Sequence, residues 1–569
     1  MYRFIRRIKK RIRSRRSAFV DPEEIFLDAK NLPEFDTQQF EGQFERPIAR
    51  RSLSALALVL VVVMIFFSGR LWKLQIAQGD MYKQRSENNS LDREPIFAPR
   101  GTIEDRNGTL LAWNVINEEI PWGQRAYIST PGFSHVVGYI GYPARDKSGN
   151  YYNKEISGKD GIERMYNTEL GGVNGSEIVE KDIAGKKQGG TIVNQPVAGE
   201  NIVLTIDARL QETMHRILAR TTSESGYRSA SAVMMDVTNG EVIVMTSVPE
   251  YNLNIMSSGD DVAKIREYLT SKSTPLLNRA ISGLFTPGSI VKPYIALSAL
   301  KEGVVTENTT ICSCGSITIP NPYNPDMPAI FRDFRPDNGI VNVRRALALS
   351  SNIYFMQVTG GYQNQPGIGI TKLEAVFKQF GLTEKTGIDL LGERSGIVPS
   401  PAWKAERFKG EVWRVGDTYN TSIGQYGVQV TPIEMARAVG ALANEGTLVT
   451  PRLRKTENVG EVKKVEGFSA REYRAVQEGM RMAVTEQKGT GAALRLLPFA
   501  VAAKTGTAQV GVGAMSINAW LNAYFPYENP KYALVVVMDT GPQKSIGASQ
   551  RVGREFLEWV SVYAPEYTK

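Results

Sequence analysis

Residues 231–246 read Ser-Ala-Val-Met-Met-Asp236-Val-Thr-Asn239-Gly240-Glu-Val-Ile-Val-Met-Thr246. Two alternating runs flank Asn-Gly, the dipeptide that most readily adopts the positive φ angles of a two-residue hairpin turn, so the segment predicts an antiparallel pair. Upstream, Ile202-Val203-Leu204-Thr205-Ile206 reads as a further strand, and Asp207 is placed to cap a helix over Ala208–Leu218. Downstream, helical patterns fill residues 285–480. Strands return at Ala500–Ala503, Ile517–Phe525 and Tyr532–Met538, and a helix over Arg551–Tyr563 closes the chain. Strands at both ends with helices between predict an α+β fold whose sheet is assembled from distant segments.

Within this frame three short polar signatures stand in apolar surroundings. The first is Ser289-Ile290-Val291-Lys292, preceded by the chain-breaking Thr286-Pro287-Gly288 and followed by Ile295, Ala296, Leu297 and Leu300. A serine at the start of a helix with lysine three residues on has its partner on the same face, one turn away. Buried lysine with a lowered pKa is a competent base for a serine nucleophile, and the helix N-terminus favours a developing oxyanion. Ser-x-x-Lys alone is weak: on the order of two copies are expected by chance at ordinary residue frequencies. The second signature is Ser350-Ser351-Asn352, after the helical run Val343–Leu349. Ser350 would relay a proton to a leaving amine, and Asn352 would hold a substrate amide.

The third, Lys504-Thr505-Gly506-Thr507, has a rival copy at Lys385-Thr386-Gly387. The copy at 385 follows Gly381 at the end of an amphipathic helix and reads as a surface turn. The copy at 504 continues the strand Ala500–Ala503 and is followed by another. Lysine and threonine on a strand, with glycine permitting close approach, suit a substrate carboxylate. The function is therefore assigned to 504.

Composition narrows the class. At 569 residues the chain holds several domains. Its net charge of +9 equals the nine basic side chains of residues 1–16, where no acid occurs, so the remainder is neutral. That argues against a nucleic-acid-binding face. From Leu53 to Phe67 no charge occurs; extended to Gly69, the run spans a bilayer, with Trp72 as an interfacial aromatic and Arg46, Arg50 and Arg51 before it. The positive-inside bias predicts a cytoplasmic N-terminus, and the long preceding segment with no small-x-small cleavage site disfavours a signal peptide. The expected organisation is a basic cytoplasmic tail (1–50), with residues 17–50 as a flexible segment, a transmembrane anchor (51–72), an extended module (73–200) and a catalytic domain (201–569). Cys312 and Cys314 are the only cysteines and are expected to be structural thiols; nothing completes a metal site. His135 and His215, the only histidines, lie far from the signatures, which disfavours a Ser-His-Asp mechanism. No cofactor is expected.

Taken together, the residues resemble the class B penicillin-binding proteins, the single-pass D,D-transpeptidases that cross-link peptidoglycan. Beyond the three signatures, Arg100-Gly101-Thr102-Ile103-Glu104-Asp105-Arg106-Asn107-Gly108 looks like the family's first pedestal motif, and Gly161-Ile162-Glu163 with Tyr166 and Leu170 like the second. Trp413, Gly416-Asp417-Thr418, Asn420, Ser422-Ile423-Gly424-Gln425 and Thr431-Pro432 resemble the elongation-type branch called penicillin-binding protein 2. Gln425-Tyr426-Gly427 departs slightly from the usual Gln-Gly. The resemblance implies a transpeptidase domain of the serine β-lactamase type on a dimerisation-type pedestal. It implies that Ser289 attacks the D-Ala-D-Ala carbonyl of a stem peptide and that Lys292 accepts its proton. Ser289 and Thr507 N–H groups would hold the oxyanion, and Lys504 and Thr505 the terminal carboxylate. The same pocket would accept β-lactams. Residues 73–200 are too few for a glycosyltransferase, so a SEDS-family (RodA-type) glycan polymerase and elongation-complex membrane proteins are the implied partners. A division-type transpeptidase, a β-lactamase or β-lactam sensor, and a silent scaffold are the competing readings.

Overall fold

The computed structural model describes residues 50–80, 91–117, 120–146, 151–181, 187–321 and 324–569. The basic tail and nearly all of segment 17–50 lie outside these residues. Helix α1 (Arg50–Trp72) carries the uncharged run, its apolar side chains all solvent-facing, and continues through a π-helical turn at Lys73–Ala77. The span Arg51–Ala77 is long and apolar enough to cross a membrane.

Residues 91–569 form one compact unit. Its N-terminal part is built from short strands. Leu91–Ile96, Gly175–Lys181 and Lys187–Asn194 make one antiparallel sheet. Ile202–Val203, Ile103–Glu104, Leu110–Val115 and Gln124–Tyr127 make another. The segment read as opening the catalytic domain is thus shared: Ile202–Val203 pairs in parallel with Ile103–Glu104, while Leu204 bridges Arg454. The two motifs noted in this region are structural. Glu163 accepts from Arg100 (2.6 Å) and Arg125 (2.7 Å), all three side chains buried. Asp105 ties down the Asn107-Gly108 turn through the N–H groups of Asn107 (2.9 Å) and Thr109 (2.7 Å), and it also accepts from Ala208 N (3.0 Å).

That last bond reaches α2 (Ala208–Ser225), capped as expected by Asp207 and longer than its pattern indicated. The hairpin follows as β1 (Ser229–Asp236) and β2 (Val242–Val248). A single 3₁₀ turn (Gly288–Val291) leads into α3 (Lys292–Lys301), so the helix starts three residues later than expected and Ser289 sits in the tighter turn. Residues 285–480 are not wholly helical. A long hairpin of β3 (Ile311–Ile319) and β4 (Ala329–Val341) interrupts them, and within it Cys312 and Cys314 form a disulfide rather than free thiols. The alternation Ile311, Ser313, Ile317 was the period-2 signal, broken by a bulge at Ser313–Ser316.

Helices α4 (Val343–Leu349) and α5 (Asn352–Gly360) meet at the serine pair. The sheet is completed by β5 (Ala502–Val510), β6 (Ser516–Phe525) and β7 (Tyr532–Pro542), and α6 (Ala548–Tyr563) packs last. The antiparallel order is β2-β1-β7-β6-β5. Both faces are covered, so β1 and β2 are buried along their whole length and not on alternate residues, as the reading of two alternating runs implied. Val233, Val535, Val537 and Trp520 face the core that holds α3, α4 and α5. Met234, Val536, Leu521 and Ala519 face α2 and α6.

Candidate active site

The edge strand β5 lies against the 3₁₀ turn that carries Ser289, and glycine makes the contact possible. A Cβ on Gly506 would stand 2.6 Å from Pro287 O and 2.9 Å from Ile290 Cγ2. Gly288, at φ +61°, would place a Cβ 2.7 Å from Thr507 O. With neither side chain present, the two backbones close, and Gly288 N donates to Gly424 O (3.0 Å) from the other side. Trp520 Nε1 donates to Thr286 O (2.9 Å) and fixes the approach to the turn.

Lys292 begins α3 and is fully buried. Its Nζ donates to Ser350 O (2.7 Å) and Asn352 Oδ1 (2.7 Å) and reaches Ser350 Oγ at 3.5 Å. The ring of Phe355 lies 5.5 Å away. Burial pushes this ammonium down to about 7, and the Asp333 carboxylate partly opposes the shift. Half-buried Ser289 is not among its hydrogen-bond partners here, as is common before a substrate arrives.

Lys504, also fully buried, donates to Ser350 Oγ (2.7 Å) and Thr505 O (2.8 Å). Burial, and then the nearby Lys292, hold its pKa well below the usual lysine range. One serine hydroxyl therefore lies between two amines that cannot both carry charge at low cost.

Ser350 reaches this position through a left-handed conformation (φ 58°, ψ 40°) at the end of α4. Ser351 then caps α5, accepting from Tyr354 N (3.0 Å), and Asn352 is the first residue of that helix. The serine pair is thus a helix–helix corner, not merely a helix end. Asp333 of β4 grips this corner: it accepts from Ser351 Oγ (3.2 Å) and Ile353 N (3.3 Å), and more closely from Asn352 N. Nothing in the sequence marked Asp333 beyond its place in Phe331-Arg332-Asp333-Phe334, whose strand character was missed.

Ser289, Lys292, Ser350, Asn352 and Lys504 are brought together, with Gly506 and Thr507 against the nucleophile turn and Thr505 largely buried. Lys504 Nζ uses Thr505 O, and the Gln425 amide, oriented to satisfy its neighbours, pairs with Gln509 N (2.9 Å) and O (3.3 Å). Strand alternation then turns the Thr507 N–H to the same open side as Thr505 O and Gln509 N. The second Lys-Thr-Gly is elsewhere: Glu393 clasps Thr386 N (2.7 Å), Thr386 Oγ1 (2.6 Å) and Gly387 N (3.1 Å) as a turn.

The sequence profile described as "Penicillin binding protein transpeptidase domain" matches residues 230–558, and "Penicillin-binding Protein dimerisation domain" matches 120–204. The chain is 29% identical to the peptidoglycan D,D-transpeptidase MrdA of Salmonella typhimurium, over 89% of this chain and 95% of that protein. Among solved structures, it is similar to the penicillin-binding protein PBP2 of Helicobacter pylori in complex with MreC. There the TM-score is 0.69 at 27% identity, over 84% of this chain and 100% of that one. It is also similar to a chain in a structure titled for the coordination of polymerization and crosslinking by a peptidoglycan synthase complex (TM-score 0.68, 26% identity, 89% and 98% covered).

Proposed function

Because the chain belongs to the penicillin-binding protein transpeptidase family, we propose that it is an elongation-type peptidoglycan D,D-transpeptidase that works through a serine acyl-enzyme. The observation that carries the mechanism is the Ser350 hydroxyl held between Lys292 and Lys504 beside the Ser289 turn. Neutral Lys292 takes the Ser289 proton as Oγ attacks the carbonyl of the penultimate D-Ala of a donor stem peptide. The N–H groups of Ser289 and Thr507 receive the oxyanion. The peptide bond then breaks, and the proton passes from Lys292 through Ser350 to the departing D-Ala amine. An amine from a neighbouring stem attacks the ester, Lys292 takes that amine's proton, and Ser289 leaves with it restored.

Lys504 and Thr505 meet the donor's terminal carboxylate. That anion favours the charged form of Lys504, and charge on Lys504 keeps Lys292 neutral, so a bound donor prepares its own base. Asn352, already 2.7 Å from Lys292, orients the donor amide. β-Lactams acylate the same serine.

The apolar helix anchors the chain in the cytoplasmic membrane, with the basic N-terminus inside and residues 91–569 outside. Glycan strands come from a SEDS-family (RodA-type) polymerase, and further membrane proteins of the elongation machinery are partners. The H. pylori PBP2–MreC complex and the peptidoglycan synthase complex support this reading.

The test is labelling of the purified full chain with a fluorescent penicillin. A stable adduct is expected, lost in Ser289→Ala. An adduct surviving that substitution refutes the nucleophile. Rapid turnover indicates a β-lactamase, and no labelling a silent scaffold.

A further inference from the structure

We infer that Asp333 is a positioning residue for this reaction: from β4 it fixes the Ser350–Asn352 corner so that one turn of chain presents its oxygens to both lysine amines. The inference rests on the roles given above to Lys292, Ser350 and Lys504.

Five donors converge on this one carboxylate. Besides Ser351 Oγ, Asn352 N and Ile353 N, it accepts from Asn338 Nδ2 (3.1 Å) and, more closely, from Ser313 Oγ. Ser313 and Ser351 are fully buried, with their hydroxyls 2.6 Å apart. Asn338 Nδ2 lies 3.3 Å from Ser313 Oγ. The cluster ties β3, β4 and the start of α5 together, and Asp333 caps α5 from outside the helix, where an anion is favoured.

The corner needs such a hold. Ser350 stands in the left-handed region, which is strained for a non-glycine residue and persists only where neighbours over-determine it. A rotation of Ser350 would withdraw its carbonyl from Lys292 and its hydroxyl from Lys504 together. Asp333 touches neither amine by hydrogen bond; it acts through the residues that do. The charged groups facing Lys292 are Asp333 from β4 and Lys504 from β5.

The experiment measures acylation rate against pH with fluorescent penicillin, on the full chain in detergent, for wild type, Asp333→Ala and Asp333→Asn, with melting temperatures alongside. Asp333→Ala is expected to acylate at least tenfold more slowly while Ser289 remains the labelled residue. Asp333→Asn keeps an acceptor for Asn352 N and Ile353 N but not the charge. It is expected to recover part of the rate and to shift the acid limb to lower pH, because Lys292 loses the anion that favours its charged form. Wild-type rates and an unmoved limb in both variants overturn the proposal. So does a folded Asp333→Asn with an unmoved limb when Asp333→Ala fails to fold, and so does loss of folding in both. Failure of wild type to acylate at Ser289 would instead overturn the proposed function, and it is visible without any variant.

Discussion

The chemistry of this chain turns on a buried lysine whose ammonium titrates near neutrality. Lys292, lowered to about 7 by burial, must be neutral to accept a proton. Acylation should therefore rise through pH 6 to 8 and level off above, falling about tenfold per pH unit well below the midpoint. A rate independent of pH across that range would refute Lys292 as the base. Lys292→Arg cannot release its proton, so the labelling rate of its folded fraction should drop by about 10²–10⁴-fold. The serine, the lysine and the strand lysine were all legible because their side-chain chemistry is unusual in an apolar setting. Asp333 was not, because an aspartate in a mixed polar strand looks like any exposed acid until folding brings five donors to it.

At the level of elements, recognition succeeded where a local pattern decides structure and failed where distant contacts do. The Asn239-Gly240 hairpin and the Asp207 cap are dictated by a few neighbouring residues; the cap and the antiparallel pair form as read, although the turn runs from Val237 to Gly240 with only Gly240 at positive φ. The β3–β4 hairpin was absorbed into a helical stretch because a bulge breaks its alternation and its turn lacks an Asn-Gly signal. Cys312 and Cys314 bracket Ser313, so their bond belongs to the strand that aims that hydroxyl at Asp333. The contact of β5 with the nucleophile turn is the most demanding one. Gly506→Ala should force the strand away from Pro287 O and Ile290, costing about 1–3 kcal/mol of stability by overpacking. Acylation should fall more than tenfold, because the Thr507 N–H moves with the strand. Thermal melting with labelling rates separates the two effects; an unchanged rate would mean that β5 does not hold the oxyanion.

For the whole molecule, the mutual dependence of its parts comes from contacts between distant segments that composition does not mark. The region from 91 to 200 and the catalytic part share strand pairing, the Asp105–Ala208 bond, and Tyr166 Oη donating to Asp389 (2.7 Å), which also accepts from Leu453 N and Arg454 N. Inside the first of these regions Glu163 neutralises two buried arginines. Glu163→Ala should cost about 3–5 kcal/mol, because both guanidiniums are left without a buried counter-charge. Calorimetry would check this, and a loss under 1 kcal/mol would show that the triad is dispensable.

The strand order carries a consequence for biosynthesis. Ser229 pairs with Asp539, some three hundred residues later, and β5 reaches the rest of the sheet only through β6 and β7. A nascent chain that has not yet emerged past Pro542 contains Ser289 and Lys292 but no sheet to bury the lysine. In water that lysine keeps its ordinary high pKa and stays protonated. A chain at that stage therefore lacks a competent base, and Ser289 gains one only once the strand ending at Pro542 has joined the two ends of the sheet.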